Sequence, residues 1–189
     1  PKPATGMMGN GCHHNFSLWR DGVNILEDPG VTELHLSKQG RHALGGVLQH
    51  AAGAMLVMGS TVNSYKRLKP GTTSSGATWS PVWISYGYNN RTQMLRINPG
   101  RIEDRTIDGS TNPYLAAAVV LAAGLDGIAN KLDSGEPNSE NLYDFCYEVL
   151  TGRGLRSLPA NLLDAVGEPE RDDVMRAAKS ETLISPRFY

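Results

Sequence analysis

Apolar and polar residues alternate over residues 11–19, Gly-Cys-His-His-Asn-Phe-Ser-Leu-Trp. Cys12, His14, Phe16 and Leu18 fall on one face and His13, Asn15, Ser17 and Trp19 on the other, the period of a half-buried strand. Arg20 to Asn24 carries Asp-Gly and reads as a hairpin turn. Thr32 to His50 spaces Leu36, Ala43, Leu44, Val47 and Leu48 at helical intervals, which predicts a helix capped by Thr32. Ala51 to Met58 continues as a second short apolar helix that ends at Gly59-Ser60. Pro70 to Ser80, rich in Gly, Ser and Thr, predicts a loop. Val82 to Tyr86, Thr92 to Ile97 and Arg101 to Thr106 have strand patterns, and the Asn98-Pro99-Gly100 turn joins the last two as an antiparallel hairpin. Pro113 suits the first position of a helix running to Lys131, and Ala116 to Ala123 is apolar on nearly all sides, which predicts a buried helix. Residues 133–158 are polar and loop-rich. Two short amphipathic helices follow, over Asn161–Val166 and Arg171–Ala178. Strands and helices alternate around hairpins, so the fold class is α+β or mixed α/β.

Charge changes this picture locally. Arg67, Arg91, Arg96, Arg101 and Arg105 stand among strand-forming residues with Glu103 between the last two. A guanidinium stays charged and grips carboxylate or phosphate oxygens in pairs, so a cleft lined with arginines suits a polyanionic ligand. Arg101, Glu103 and Arg105 at i, i+2 and i+4 share one side of a strand, while Arg91 and Arg96, oddly spaced, point to opposite sides of theirs unless a bulge intervenes, which would leave one of them structural. The alternative is a solvated ladder of ion pairs. His13 and His14 face opposite ways on a strand, so at most one enters the cleft. A strand histidine without context is most often a structural one. With Gly9-Asn10-Gly11 allowing close backbone approach, Glu103 is the nearest partner for a metal-binding imidazole, and Mg²⁺ or Mn²⁺ is the ion such a pair suits. Gly71 to Gly76 lacks the Lys-Ser/Thr ending of a phosphate loop and reads as a flexible lid. Tyr143 reads as an ordinary loop aromatic.

The 189 residues are enough for one domain with a core; 40% are hydrophobic and 20% charged. A formal net charge of −1 provides no field to draw in nucleic acid or an anionic membrane. Cys12 and Cys146 have no CxxC spacing and read as reduced thiols of a cytoplasmic protein, with a disulfide left open. No apolar run reads as long enough to span a membrane, and no signal peptide is seen. The start at Pro1 and the stop at Tyr189 read as a piece cut from a longer polypeptide.

In this order, Gly9-Asn10-Gly11-Cys12-His13, Asn63-Ser64-Tyr65-Lys66-Arg67-Leu68, Asn90-Arg91, Arg96-Ile97, Arg101-Ile102-Glu103 through Arg105, and Asn112-Pro113-Tyr114-Leu115 with Ala123-Gly124-Leu125-Asp126-Gly127-Ile128 resemble the catalytic domain of the glutamine synthetase family. The resemblance covers roughly residues 1–165. It implies a largely antiparallel curved sheet with flanking helices, and ATP-dependent ligation of glutamate to ammonia through a γ-glutamyl phosphate. It implies that His13 and Glu103 hold the second divalent metal, that Gly9, Arg67 and Arg105 bind glutamate, and that Arg91 and Arg96 serve the transferred phosphoryl group. Ser17, Arg91 and Arg101 are implied as nucleotide contacts. It further implies that residues 1–189 are part of the catalytic domain. The small N-terminal β-grasp domain and the strands carrying the other metal ligands would lie ahead of Pro1, the complete protein would be a ring-shaped homo-oligomer, and these residues alone would be inactive. Tyr143 falls where some bacterial relatives are adenylylated.

Three departures bear on the substrate. Asn15 stands where the family pattern has a second histidine, Met8 where a polar Asn is common, and Thr72 to Trp79 carries no acid where the family lid has a Glu. An uncharged lid with Trp79 as an apolar wall suits an alkylamine donor, as in a γ-glutamylmethylamide synthetase. Two further readings stay open, a non-catalytic structural relative and another phosphotransferase such as a guanidino kinase.

Overall fold

The structure, a computed structural model, describes residues 1–4, 6–69, 72–73 and 76–183. Pro70, Gly71, Ser74 and Ser75, on which part of the lid expectation falls, lie outside the described residues. Thr72–Thr73 (β4) pairs antiparallel with Gly76–Ala77 (β5) within that stretch.

Strands β1 (His14–Phe16), β6 (Tyr86–Tyr88), β7 (Leu95–Asn98) and β8 (Arg101–Asp104) form one sheet in the order β1-β8-β7-β6. β8 pairs antiparallel with both β1 and β7, and the expected hairpin is present, with Asn98 opposite Arg101 and Gly100 at φ 73°. β6 runs parallel to β7, with Tyr86 opposite Leu95. The short connection 89–94 is turn and bend, where the sequence pattern suggested a strand from Thr92. Trp19–Arg20 (β2) and Val23–Asn24 (β3) make the predicted small hairpin, closed by Asp21 and Gly22 at positive φ.

The first helix, α1 (Lys38–Gln49), begins later than the periodicity suggests. Leu34 and His35 adopt positive φ, Glu27 bridges Leu36, and Ser37 Oγ accepts from Gly40 N at 2.9 Å. Residues 32–36 therefore fold back to bury Leu34 and Leu36, and Ser37 is the cap instead of Thr32. α2 (Ala51–Met58) follows His50 directly, and α3 (Val62–Arg67) is closed by a Thr61/Ser64 capping box. Arg67 thus sits on a helix, not a strand.

α4 (Pro113–Asn130) starts as expected, with Pro113 in its first turn and Asn112 Oδ1 accepting from Tyr114 N. By length and composition it would suffice to cross a membrane, contrary to the sequence reading, with mean hydropathy 1.4. It is also less enclosed than predicted. Ala116, Val119, Val120, Ala123, Gly124 and Gly127 are buried, whereas Tyr114, Leu121 and Leu125 are exposed. The buried face lies on α1 and on α7 (Asp173–Leu183). α5 (Tyr147–Gly152) and α6 (Leu162–Gly167) lie between α4 and α7 in the chain. Leu44, Met55, Met58, Met94, Leu95, Ile97 and Ile102 fill the space between helices and sheet.

His50, at the α1–α2 corner, ties that corner to α4 and to the residue before α7. Its Nδ1 lies 2.9 Å from Asp172 Oδ2 and its Nε2 lies 3.0 Å from Asp126 Oδ2 on α4. His50→Leu leaves both carboxylates facing an apolar side chain and is expected to cost about 3 kcal/mol of stability, measured by urea unfolding. A loss below about 1 kcal/mol would show that this tie holds little.

Candidate active site

Glu103 is the centre of the charged cluster. It lies opposite Arg96 in the β7–β8 register, the cross-strand position where side chains meet. Arg96 Nη2 reaches Glu103 Oε2 at 2.6 Å, and Arg105 Nη1 reaches Oε1 at 2.8 Å. Asn98 Nδ2 adds a longer donor to Oε2 at 3.4 Å. Burial alone pushes the Glu103 carboxyl up, but Arg105 and Arg96 outweigh it and hold it below the usual carboxylate range. The group is therefore a carboxylate at neutral pH. Ile102 and Asp104, on the other face, are buried in the interior as the alternation requires.

His13 stands just before β1, with Nδ1 2.9 Å from Glu103 Oε1 and 3.3 Å from Arg105 Nη1. Its side chain is 33% exposed. Burial first, then Arg105, lowers its pKa against the pull of Glu103, so the ring favours the neutral form that can ligate a metal. His14, by contrast, lies beside the Phe16 ring, 5.9 Å between centroids, and is not among the cleft-lining residues. Neighbouring donors on an octahedral ion with bonds near 2.1 Å are about 3 Å apart. The His13–Glu103 separation matches that spacing, so the pair fits one edge of a divalent-cation site. Among the described residues no third His, Cys, Asp or Glu joins them.

Around this pair lies a cavity of about 410 Å³ lined by Met8, Gly9, Gly11, His13, Arg67, Thr78, Trp79, Ser80, Arg91, Arg96, Glu103 and Arg105. It therefore gathers His13, Gly9, Arg67, Arg91, Arg96, Glu103 and Arg105 in one place. A larger cavity of about 510 Å³, beside Tyr86 and Asp133, has Arg153 paired with Glu140 and Arg156 donating to the Leu48 carbonyl, and it holds no comparable cluster.

Several details differ from expectation. Arg67 is buried, and its Nη2 donates to the carbonyls of Arg105, Thr106 and Ile107. It therefore braces the chain that follows β8 as well as facing the cavity. Gly9 gives close approach to Arg67: a side chain there would come within 2.6 Å of Arg67 Cγ. Arg91 enters the cavity alongside Arg96 because it is in the 89–94 connection, where strand parity does not apply. Asn90 shapes that turn, accepting from Thr92 N at 3.0 Å and donating to Glu140 O at 2.8 Å. Arg101 does not share the cavity with Glu103 and Arg105. It is exposed at the start of β8 and donates to Asn15 Oδ1 at 3.1 Å. Ser17 likewise lies outside the lining and accepts from Trp19 Nε1 at 2.8 Å.

Tyr143, read from sequence as an ordinary loop aromatic, is on a 3₁₀ turn over Leu142–Asp144 and stacks on Trp79. Nothing in the local pattern signals this, because the partner is sixty-odd residues away in the chain.

The family model for the glutamine synthetase catalytic domain matches residues 1–186. A glutamate–methylamine ligase of Methyloversatilis universalis is 44% identical over 94% of this chain and 40% of its own length. A glutamine synthetase of Rhizobium meliloti is 44% identical over 94% of this chain and 41% of its own length. A solved GmaS/ADP complex is 46% identical at a TM-score of 0.83, with 94% of this chain and 40% of that one covered. This chain spans about two fifths of the length of the relatives it matches.

Proposed function

The chain belongs to the glutamine synthetase family, and from that premise we propose that the polypeptide containing it joins glutamate to ammonia or a short alkylamine using ATP. The observation that carries the reading is the cavity in which Arg67, Arg91, Arg96 and Arg105 surround the His13–Glu103 pair. Such a cluster suits two anionic substrates that must be brought together. A γ-carboxylate oxygen of glutamate attacks the γ-phosphorus of ATP, the bond to ADP breaks, and an acyl phosphate forms. The amine nitrogen then attacks the acyl carbon, loses a proton, and phosphate leaves. Most of the catalysis in such a transfer is charge neutralisation and alignment.

In this reading Arg91 and Arg96 hold the moving phosphoryl oxygens, and Arg105, Arg67 and the Gly9 backbone hold glutamate. A bound Mg²⁺ or Mn²⁺ would neutralise phosphate charge, with His13 and Glu103 supplying two of its ligands and the remaining ligands coming from outside these residues. Arg101 and Ser17 are the candidate contacts for the nucleotide beyond the cavity. We assign the activity to the complete polypeptide, within an oligomer, rather than to these residues alone.

Ammonia is the first donor considered. One observation favours methylamine as the alternative donor, Trp79 as the aromatic in the cavity lining. The test is ADP release by the complete enzyme with glutamate, Mg²⁺ and either amine. A kcat/KM for methylamine more than about tenfold above that for ammonium assigns the alkylamide product, and the reverse ratio assigns glutamine. No glutamate-dependent ADP release with either amine overturns the reading.

A further inference from the structure

Trp79 has φ 51°, in the left-handed region that a bulky aromatic residue rarely occupies. Backbone in such a conformation persists only where its surroundings hold it. Its carbonyl accepts from Arg105 Nη2 at 3.0 Å, so the turned backbone is what orients that guanidinium's outer edge. The inner edge is fixed separately, by Glu103 Oε1 at 2.8 Å. Arg105 Nε has no partner among the described residues.

What holds Trp79 comes from a distant part of the chain. Tyr143 Oη donates to the Ser80 carbonyl at 2.8 Å and lies 3.1 Å from the Thr78 hydroxyl. Its ring stacks on Trp79, 6.2 Å between centroids with 21° between planes. The residues on both sides of the strained position and the strained residue itself are therefore all gripped by one side chain. Burial raises the Tyr143 phenol, which keeps it protonated as a donor. Asn141, donating to Asp144 and accepting from Tyr143 N, fixes the turn from which the tyrosine projects.

We propose that Tyr143 is a positioning residue for the site: it staples Thr78–Ser80 so that the Trp79 carbonyl aligns Arg105 for the substrate carboxylate. The effect on substrate rests on the functional reading above; the staple itself does not.

The test uses Tyr143→Phe in the complete enzyme, which keeps the ring and removes the hydroxyl. Apparent KM for glutamate is expected to rise about tenfold, with kcat and the KM for ATP changing less than about threefold. If the path runs through Arg105, the Arg105→Lys, Tyr143→Phe double variant is worse than Arg105→Lys alone by less than about twofold. Independent additive losses overturn the proposal, as does a lowered melting temperature with unchanged glutamate KM. A second readout needs no activity. In enzyme labelled with 5-fluorotryptophan, the ¹⁹F resonance assigned to Trp79 by its absence in Trp79→Phe should move in Tyr143→Phe, while those of Trp19 and Trp83 stay. An unmoved Trp79 resonance overturns the staple. A moved resonance in an enzyme with no glutamate-dependent turnover supports the staple and removes the functional reading.

Discussion

Glu103→Gln is expected to lower glutamate-dependent ATP turnover of the complete enzyme by at least about 100-fold. The substitution keeps the side chain's shape, but it removes the one negative charge that the Arg96 and Arg105 guanidiniums share. It also removes the carboxylate that faces His13 Nδ1. The two arginines would then repel each other across a neutral amide and turn toward the cavity, where a substrate anion would meet them in the wrong place. Loss of a ligand or its orienting partner also weakens metal binding, typically by about 10–100-fold. Titration of the complete enzyme with Mn²⁺, followed by electron paramagnetic resonance, reads that loss without any turnover. Far-ultraviolet circular dichroism should remain that of the parent enzyme. Turnover within about tenfold of the parent enzyme would mean that Glu103 serves only to neutralise its neighbours and does not act at the reacting phosphoryl group.

A large effect on folding is expected far from the site, where α1 crosses α4. Gly46 and Gly127 face each other there. A methyl group on Gly127 would overlap the His42 carbonyl oxygen and come within 2.7 Å of Gly46 N. One on Gly46 would overlap the Ala123 carbonyl oxygen. The obstructing atoms are backbone, so no side chain can swing away and the helices themselves must separate. Gly127→Ala is therefore expected to cost about 3 kcal/mol, a fall in melting temperature of roughly 6–12 °C for a domain of this size. Gly124, one turn earlier on the same helix, is the control. A methyl there would meet only Ala43 Cβ at 3.9 Å, an ordinary contact. Gly124→Ala should be neutral or stabilising by up to about 1 kcal/mol, as for a glycine replaced within a helix. Equal losses at both positions would show that general helix packing, and not the close crossing, sets the stability.

Much of the architecture could be read from local pattern. The α4 start, the Asn98-Pro99-Gly100 hairpin and the β2–β3 turn follow from rules acting within a few residues: a proline tolerated where no N–H is needed, and a glycine or aspartate where φ turns positive. The first helix was misplaced because helical periodicity says nothing about a chain that folds back to bury Leu34 and Leu36 before Ser37 can cap it. The extent of α4 was correct but its burial was not, because composition reports how apolar a helix is and not which neighbours cover it.

The site divides the same way. Side-chain alternation put Glu103 and Arg105 on one face, with Ile102 and Asp104 on the other, and it separated His13 from His14, because the two-residue period of a strand is a backbone property. Sequence could also name the chemistry, since guanidinium groups in such number imply an anionic ligand wherever they converge. Convergence itself was decided in three dimensions. Arg91 joins Arg96 because a turn, not a strand, carries it, Arg67 arrives from a helix end, and Arg101 stays outside. Tyr143 reaches Trp79 from a turn that no local pattern links to it. Residue identity and short-range backbone geometry are written along the chain, whereas contacts between distant segments depend on how helices and sheet close on one another, and a pair of glycines where α1 meets α4 sets that closeness.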